Sequence, residues 1–229
     1  MSAPAPTTPA ALARQARERF VADVEASLPE LAGAISTRLL ESVDRSPSTR
    51  ESQIRRDAVL QYERHRALWV DKTGRALRRA SQRTDESRPV RSANLGLELI
   101  GDDVVEQKII ASRLAMAIHE KASWELNDLR VRIQALEGGN DFAADDVLRP
   151  EALALLLIEQ WMDANLSRQS WLMDSDLIQR RLVPVAVEAY GRVNGELVRA
   201  GVVPDVELSR RVKRSASAPP CSEVGTSGK

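Results

Sequence analysis

A chain of 229 residues with 43% apolar side chains and only 3% aromatics can build one core of ordinary size, aliphatic rather than aromatic in character. Zero formal net charge removes any global pull toward nucleic acid or a membrane surface, so a nucleic-acid partner is not expected. The single cysteine, Cys221, excludes an intrachain disulfide framework and a cysteine-based zinc site, which makes a reducing cytoplasm the expected compartment.

The opening residues 1–8 are a Pro/Ala/Thr tail with no charged or apolar signal region, so neither a signal peptide nor a packed segment is expected there. Thr8 and Pro9 have the chemistry of a helix cap and first helical residue, and predict a helix over 9–27. Pro29 then predicts a second helix through Leu31, Ile35, Leu39 and Val43 to about Asp44. After the turn Ser46-Pro47-Ser48, a long helix is expected to about Ala80, with Ile54, Ala58, Tyr62, His65, Trp69 and Ala76 on its inner stripe. Between 81 and 94 the apolar residues vanish and Pro89 appears, the mark of a linker; 95–100 alternates like a short extended strip.

The strongest periodicity follows. Ala111, Leu114, Ile118, Ala122, Leu126, Leu129, Ile133 and Leu136 recur at steps of three and four, which places them on one face of a long helix. Asp103 and Glu106 have capping-box spacing, and Gly138-Gly139 stops the helix. Pro150 opens an apolar helix carrying Leu153, Leu156, Leu157, Trp161 and Met162. Its most apolar run, 152–158, is far shorter than the ~20 residues that span a bilayer, so no membrane span is expected. A last helix, capped by Asp174 or Ser175, turns Ile178, Leu182, Ala186, Ala189, Val193 and Leu197 inward. Pro184 interrupts its hydrogen-bond ladder and predicts a kink. Gly201 and Pro204 end it, and beyond a basic run at 205–214 the Ser/Ala/Pro/Gly composition predicts disorder.

No catalytic constellation emerges from this layout. His65 and His119 stand alone: no HExxH follows His119, because position 123 is Ser. Asp102-Asp103 and Asp174 with Asp176 read as helix starts, where negative charge meets the positive end of the macrodipole. Asp145-Asp146 lies in a loop without the EF-hand series of oxygen ligands. Phosphate-binding glycine loops and nucleophile elbows are missing, so no cofactor and no metal is expected. Charge is nevertheless segregated: 50–91 holds twelve basic and six acidic side chains, and 102–163 holds six basic and thirteen acidic. Arg75, Arg78, Arg79 and Arg83 crowd one helix end, and Arg210, Arg211 and Arg214 form a second basic run; both are candidate contacts for an anion or a partner.

Two stretches resemble a known family. Leu97-Glu98-Leu99-Ile100-Gly101-Asp102-Asp103-Val104-Val105-Glu106 is similar to a Leu-x-Leu-Ile/Val-x-Asp/Glu-x-x-Leu/Val-Glu opening. Tyr190, Asn194, Leu197 and Gly201-Val202-Val203-Pro204 are similar to a Tyr-x-x-x-Asn-x-x-Leu-x-x-x-Gly-Val-Leu-Pro close. Both belong to the bacterial family known as domain of unknown function 1631, and the resemblance covers 97–204. It implies a mostly helical protein, the amino-terminal part of something longer, with 9–80 as a helical extension. Some members carry a PilZ domain that binds cyclic di-GMP, which implies an adaptor role in that signalling. Arg210 to Arg214 has the bare RxxxR spacing of that site, but its partner motif and β-barrel are absent from this sequence. Members have also been labelled thymidine phosphorylase, which would imply a nucleoside phosphorylase-type enzyme; the glycine-rich phosphate loop of that enzyme is missing here.

The expectation is therefore an all-α, irregular bundle of about six helices, two of them long, with disordered ends. It divides into a tail (1–8), a helical segment (9–80), a linker (81–94), a family-like helical domain (95–204) and a tail (205–229). The expected function is a non-enzymatic, cytoplasmic interaction or regulatory module that binds a protein partner or itself.

Overall fold

Pro29 does not end the first helix. In the computed structural model, which describes residues 8–44, 48–82, 102–139 and 141–204, a single helix α1 runs through it from Pro9–Asp44. The apolar stripe explains the continuity. Phe20, Val21, Val24, Leu28, Leu31, Ala32, Ile35 and Leu39 are all buried, and their steps of three and four pass through position 29 without a change of face. Pro29 itself is exposed, so its ring meets solvent. The missing N–H costs about 3 kcal/mol in a helix interior, less than the burial of three or four flanking aliphatic side chains returns at about 1.5–3 kcal/mol each.

Four more helices follow among the described residues: α2 (Thr49–Ser81), α3 (Asp102–Glu137), α4 (Pro150–Asp163) and α5 (Arg168–Arg199). The fold is all-α as expected, with five helices rather than six, because the two expected before residue 45 are one. Four are long rather than two, at 36, 33, 36 and 32 residues. Pro184 lies inside α5, which is helical on both sides of that residue. The expected strip at 95–100, the linker beyond Gln82 and the tails lie outside the described residues.

Local chemistry sets most helix ends. Ser48 caps α2, its side chain accepting from the Glu51 N–H at 3.2 Å. α5 begins earlier than Asp174 or Ser175: Ser167 caps it by accepting from Ser170 N–H at 3.1 Å, just after Asn165 turns the chain with a left-handed φ of 59°. α3 likewise begins at Asp102, so Asp103 stands inside its first turn. Gly138 and Gly201 are the stops the sequence predicts, with φ of 72° and 80°. At Gly201 the Schellman pair is complete: Gly201 N–H donates to the Val198 carbonyl and Val202 N–H to that of Leu197, both at 2.9 Å.

Cross-helix pairs give the directions. Tyr62 donates to the Ala32 carbonyl, and Arg78 pairs with Glu25, so α2 runs antiparallel to α1. Arg38–Asp174, Arg181–Glu30 and Arg192–Asp23 set α5 antiparallel to α1 as well. Arg168–Glu106 at one end and Arg132–Asn194 further along make α3 parallel to α5. α4 runs antiparallel to both and packs on α3 and α2, with the Leu148 carbonyl accepting from Tyr190 just before its start and Trp161 against Trp171 at its end.

One core unites both halves of the chain. α1 packs on α2, α5 and α3, and α2 also on α4, so residues on either side of the expected linker share the same apolar interior. All the predicted inward residues of α5 are buried, and of α3 all but the half-buried Leu136. The scarce aromatics concentrate between α2, α4 and α5. Trp161 sits at the centre, 5.6 Å from the Tyr62 ring, 5.1 Å from Trp69 and 5.2 Å from Trp171, and donates its indole N–H to the Ser167 carbonyl at 2.9 Å. The predicted stripe of α2 needs correction at its start: Ile54 is 50% exposed, and Ala58 and His65 are only half-buried. The first turns of α2 lie beside the start of α5, where Ile54, Gln61 and Met173 line a shallow cleft of about 230 Å³.

Candidate interaction surface on the third helix

The arginines singled out in α2 are brought to one helix end but are largely answered by carboxylates. Arg75 pairs with Asp71 one turn back at 2.6 Å, and Arg78 reaches across to Glu25 of α1. Gly74 permits that crossing: a Cβ there would lie 2.8 Å from Glu25 Oε1. Arg79 is exposed on the same end. Arg83, Arg210, Arg211 and Arg214 lie outside the described residues. What is placed here is a mixed-charge surface rather than an open cationic cradle.

Buried polar groups are used to tie helices together. Arg17 of α1 donates to Glu137 at the end of α3 and to Asp146 in the loop before α4, both at 2.6 Å. Burial alone would lower the pKa of this guanidinium; its hydrogen bonds and charge pairing with the two carboxylates outweigh burial and raise it, so it stays charged. Asp146 also accepts from Leu148 N–H at 3.0 Å, which shapes the loop into the start of α4. Arg132 donates to Asn194 Oδ1 at 2.6 Å, and Asn194 Nδ2 donates to the Glu125 carbonyl at 2.8 Å, locking α3 to α5.

Asp174 is less completely satisfied. It is buried beside the aromatic cluster, its Oδ1 is 3.4 Å from Arg38 Nε, and its Oδ2 has no hydrogen-bond partner among the described residues. Burial pushes its carboxyl up to about 6, with Arg38 pulling the other way. Burial, and then the charge of Asp174, also raises the Tyr62 hydroxyl above its ordinary value. The histidines do not converge on it: His65 is half-buried on α2, and His119 is exposed on α3. Among the described residues no three His, Cys, Asp or Glu side chains gather as metal ligands.

The least explained surface is the outer face of α3. Its inner face, Ile110, Ala111, Leu114, Ala115, Ile118, Ala122, Leu126, Leu129 and Ile133, is in the core. At about 100° per residue, Ile109, Arg113, Met116, Glu120 and Trp124 fall together on the opposite side, at steps of four, three, four and four. Ile109 is 53% exposed, Met116 63% and Trp124 44%. Reading by the dominant periodicity missed this stripe, because the core stripe absorbs the helical signal; apolar residues lying off that stripe at 109, 116 and 124 were the available clue.

The chain matches the family described as "Protein of unknown function (DUF1631) N-terminal domain" over residues 8–201. It belongs to this family. The matched region reaches well beyond the resemblance at 97–204 and takes in α1 and α2, so the first two helices are part of the DUF1631 N-terminal domain. Comparison with curated proteins and with solved structures finds no match. The residues that carry the resemblance at the end of this match do structural work in this chain. Tyr190 stacks on Phe20 at 4.6 Å and donates to the Leu148 carbonyl at 3.0 Å, Asn194 locks α3 to α5, and Leu197 and Gly201 close the final helix. Among the described residues no helix is long and apolar enough to cross a membrane.

Proposed function

We propose that this DUF1631 N-terminal domain is a non-enzymatic protein-interaction module of the cytoplasm, with the outer face of α3 as its docking surface. The observation that carries this reading is the stripe of Ile109, Met116 and Trp124, three large apolar side chains exposed on the side of a 36-residue helix that faces away from its own core. Singly exposed apolar residues need no explanation, but an aligned set with a Trp and a Met is the composition of contact surfaces. The motif residues Tyr190 and Asn194 support the same reading, since both are occupied in holding the scaffold rigid.

The test is site-specific photo-crosslinking in cells, with a photoreactive residue in place of Met116 and a control at exposed Arg180 on α5. Adducts with a protein chain from position 116 and not from 180 are expected. Equal or absent labelling at both positions would remove α3 as the docking surface.

A further inference from the structure

The geometry points to a second copy of this chain as the occupant of the α3 face, the two helices lying antiparallel about a two-fold axis between Met116 and Ala117. The inference rests on the interaction-module reading and names its partner. The residues on the stripe are arranged symmetrically about that point in sequence. Arg113 and Glu120 stand equally far from it on either side, and so do Ile109 and Trp124.

In an antiparallel pair each Arg113 therefore faces the other copy's Glu120, and each Ile109 the other copy's Trp124, every contact occurring twice. This is the self-complementarity that an isologous two-fold interface demands. Parallel pairing in register would instead set Arg113 against Arg113 and Glu120 against Glu120, like charges in both cases. At the centre, Met116 of one copy meets Ala117 of the other, and the small alanine lets the helices approach closely while the thioether fills the gap.

Among the described residues no other helix covers this face. Among the described residues Arg113 makes no ion pair, and Glu120 pairs with its exposed neighbour Lys121 at 3.3 Å. Glu106 is held by Arg168 of α5, which ties the start of α3 to the bundle so that the stripe is presented on a supported helix. Exposed ion pairs contribute little affinity but fix register and orientation, while the apolar contacts supply the attraction. The stripe from 109 to 124 spans roughly 22 Å along the helix, so a dimer of moderate affinity is expected.

The experiment is sedimentation equilibrium on the full chain and on charge-swapped variants, at about 1 µM to 1 mM. The wild type is expected to pass from monomer to dimer within that range. Arg113→Glu and Glu120→Arg each place like charges across the axis twice and should weaken the dimer at least about tenfold. The double variant Arg113→Glu/Glu120→Arg should dimerise again. The most specific arm mixes the two single variants, since one chain of each restores both opposite-charge pairs: the mixture should form heterodimers although neither variant self-associates.

Both positions are exposed, and unchanged helical circular dichroism confirms folding of each variant. A monomer at every concentration, or a dimer indifferent to the swaps, overturns the inference. In that case adducts from position 116 with a different protein would leave the interaction-module reading standing, and the absence of any adduct would remove both.

Discussion

Arg17 and Asp146, 129 residues apart in the chain, meet as a buried fork in which Arg17 Nε and Nη2 both donate to the carboxylate, at 3.1 and 2.6 Å. The pair joins the first helix to the loop that starts α4. Removing one member leaves a desolvated charge partly uncompensated, which costs about 3 kcal/mol. Asp146→Ala and Arg17→Met should each lower stability by about that amount in urea unfolding, and the double variant by clearly less than the sum. Additive losses would show that the two groups act independently.

Asn194 uses both ends of its amide, accepting from Arg132 and donating to the Glu125 carbonyl. Asn194→Asp keeps the acceptor but faces the carbonyl with a second acceptor, and should cost about 1–3 kcal/mol. Asn194→Leu removes both bonds and should cost at least as much. Thermal melts of the two variants check this; an unchanged midpoint for both would show that Asn194 is not the tie between α3 and α5.

The raised carboxyl of Asp174 predicts a pH effect with a definite sign. Its folded value of about 6 exceeds the ordinary 3.8 of the unfolded chain, so between these limits the folded state holds a proton that the unfolded state has lost. Its contribution to stability is fully present below about pH 4 and is lost as pH rises through about 6. A shift of this size corresponds to about 2 to 3 kcal/mol. Asp174→Asn should be more stable than wild type at pH 7.5, with the advantage shrinking as pH falls toward 4. Urea unfolding from pH 4 to 8 measures the difference; a variant equally destabilised across the range would mean that the Arg38 contact outweighs burial.

Pro29 and Pro184 stand inside long helices with exposed rings, each removing one backbone donor. Replacement by Ala restores the donor, worth about 3 kcal/mol, and loosens the unfolded chain, which returns about 1 kcal/mol. Pro29→Ala and Pro184→Ala should each gain about 2 kcal/mol, or roughly 4 to 8 °C in Tm. A fall in Tm for either would show that the helix is bent around its proline in a way the packing requires.

The all-α class, the inward faces of α3 and α5 and the stops at Gly138 and Gly201 were legible in the sequence. Each depends on interactions within a few residues: a period of 3.6 that gathers Leu114, Ile118 and Leu129 on one face, or a glycine free to take a positive φ. Pro29 and Asp174 show where local reading ends. Propensity places a break at Pro29, but the stripe on either side is buried against α2 and α5, and long-range packing overrides the local penalty. Asp174 and Asp146 resemble any helix-start or loop carboxylate in sequence; their burial and partners come from helices more than a hundred residues away. The outer stripe of α3 was present in the sequence too, yet which of two apolar faces is covered depends on neighbouring helices. Periodicity reports that a face is apolar; only the tertiary structure decides what, if anything, lies against it.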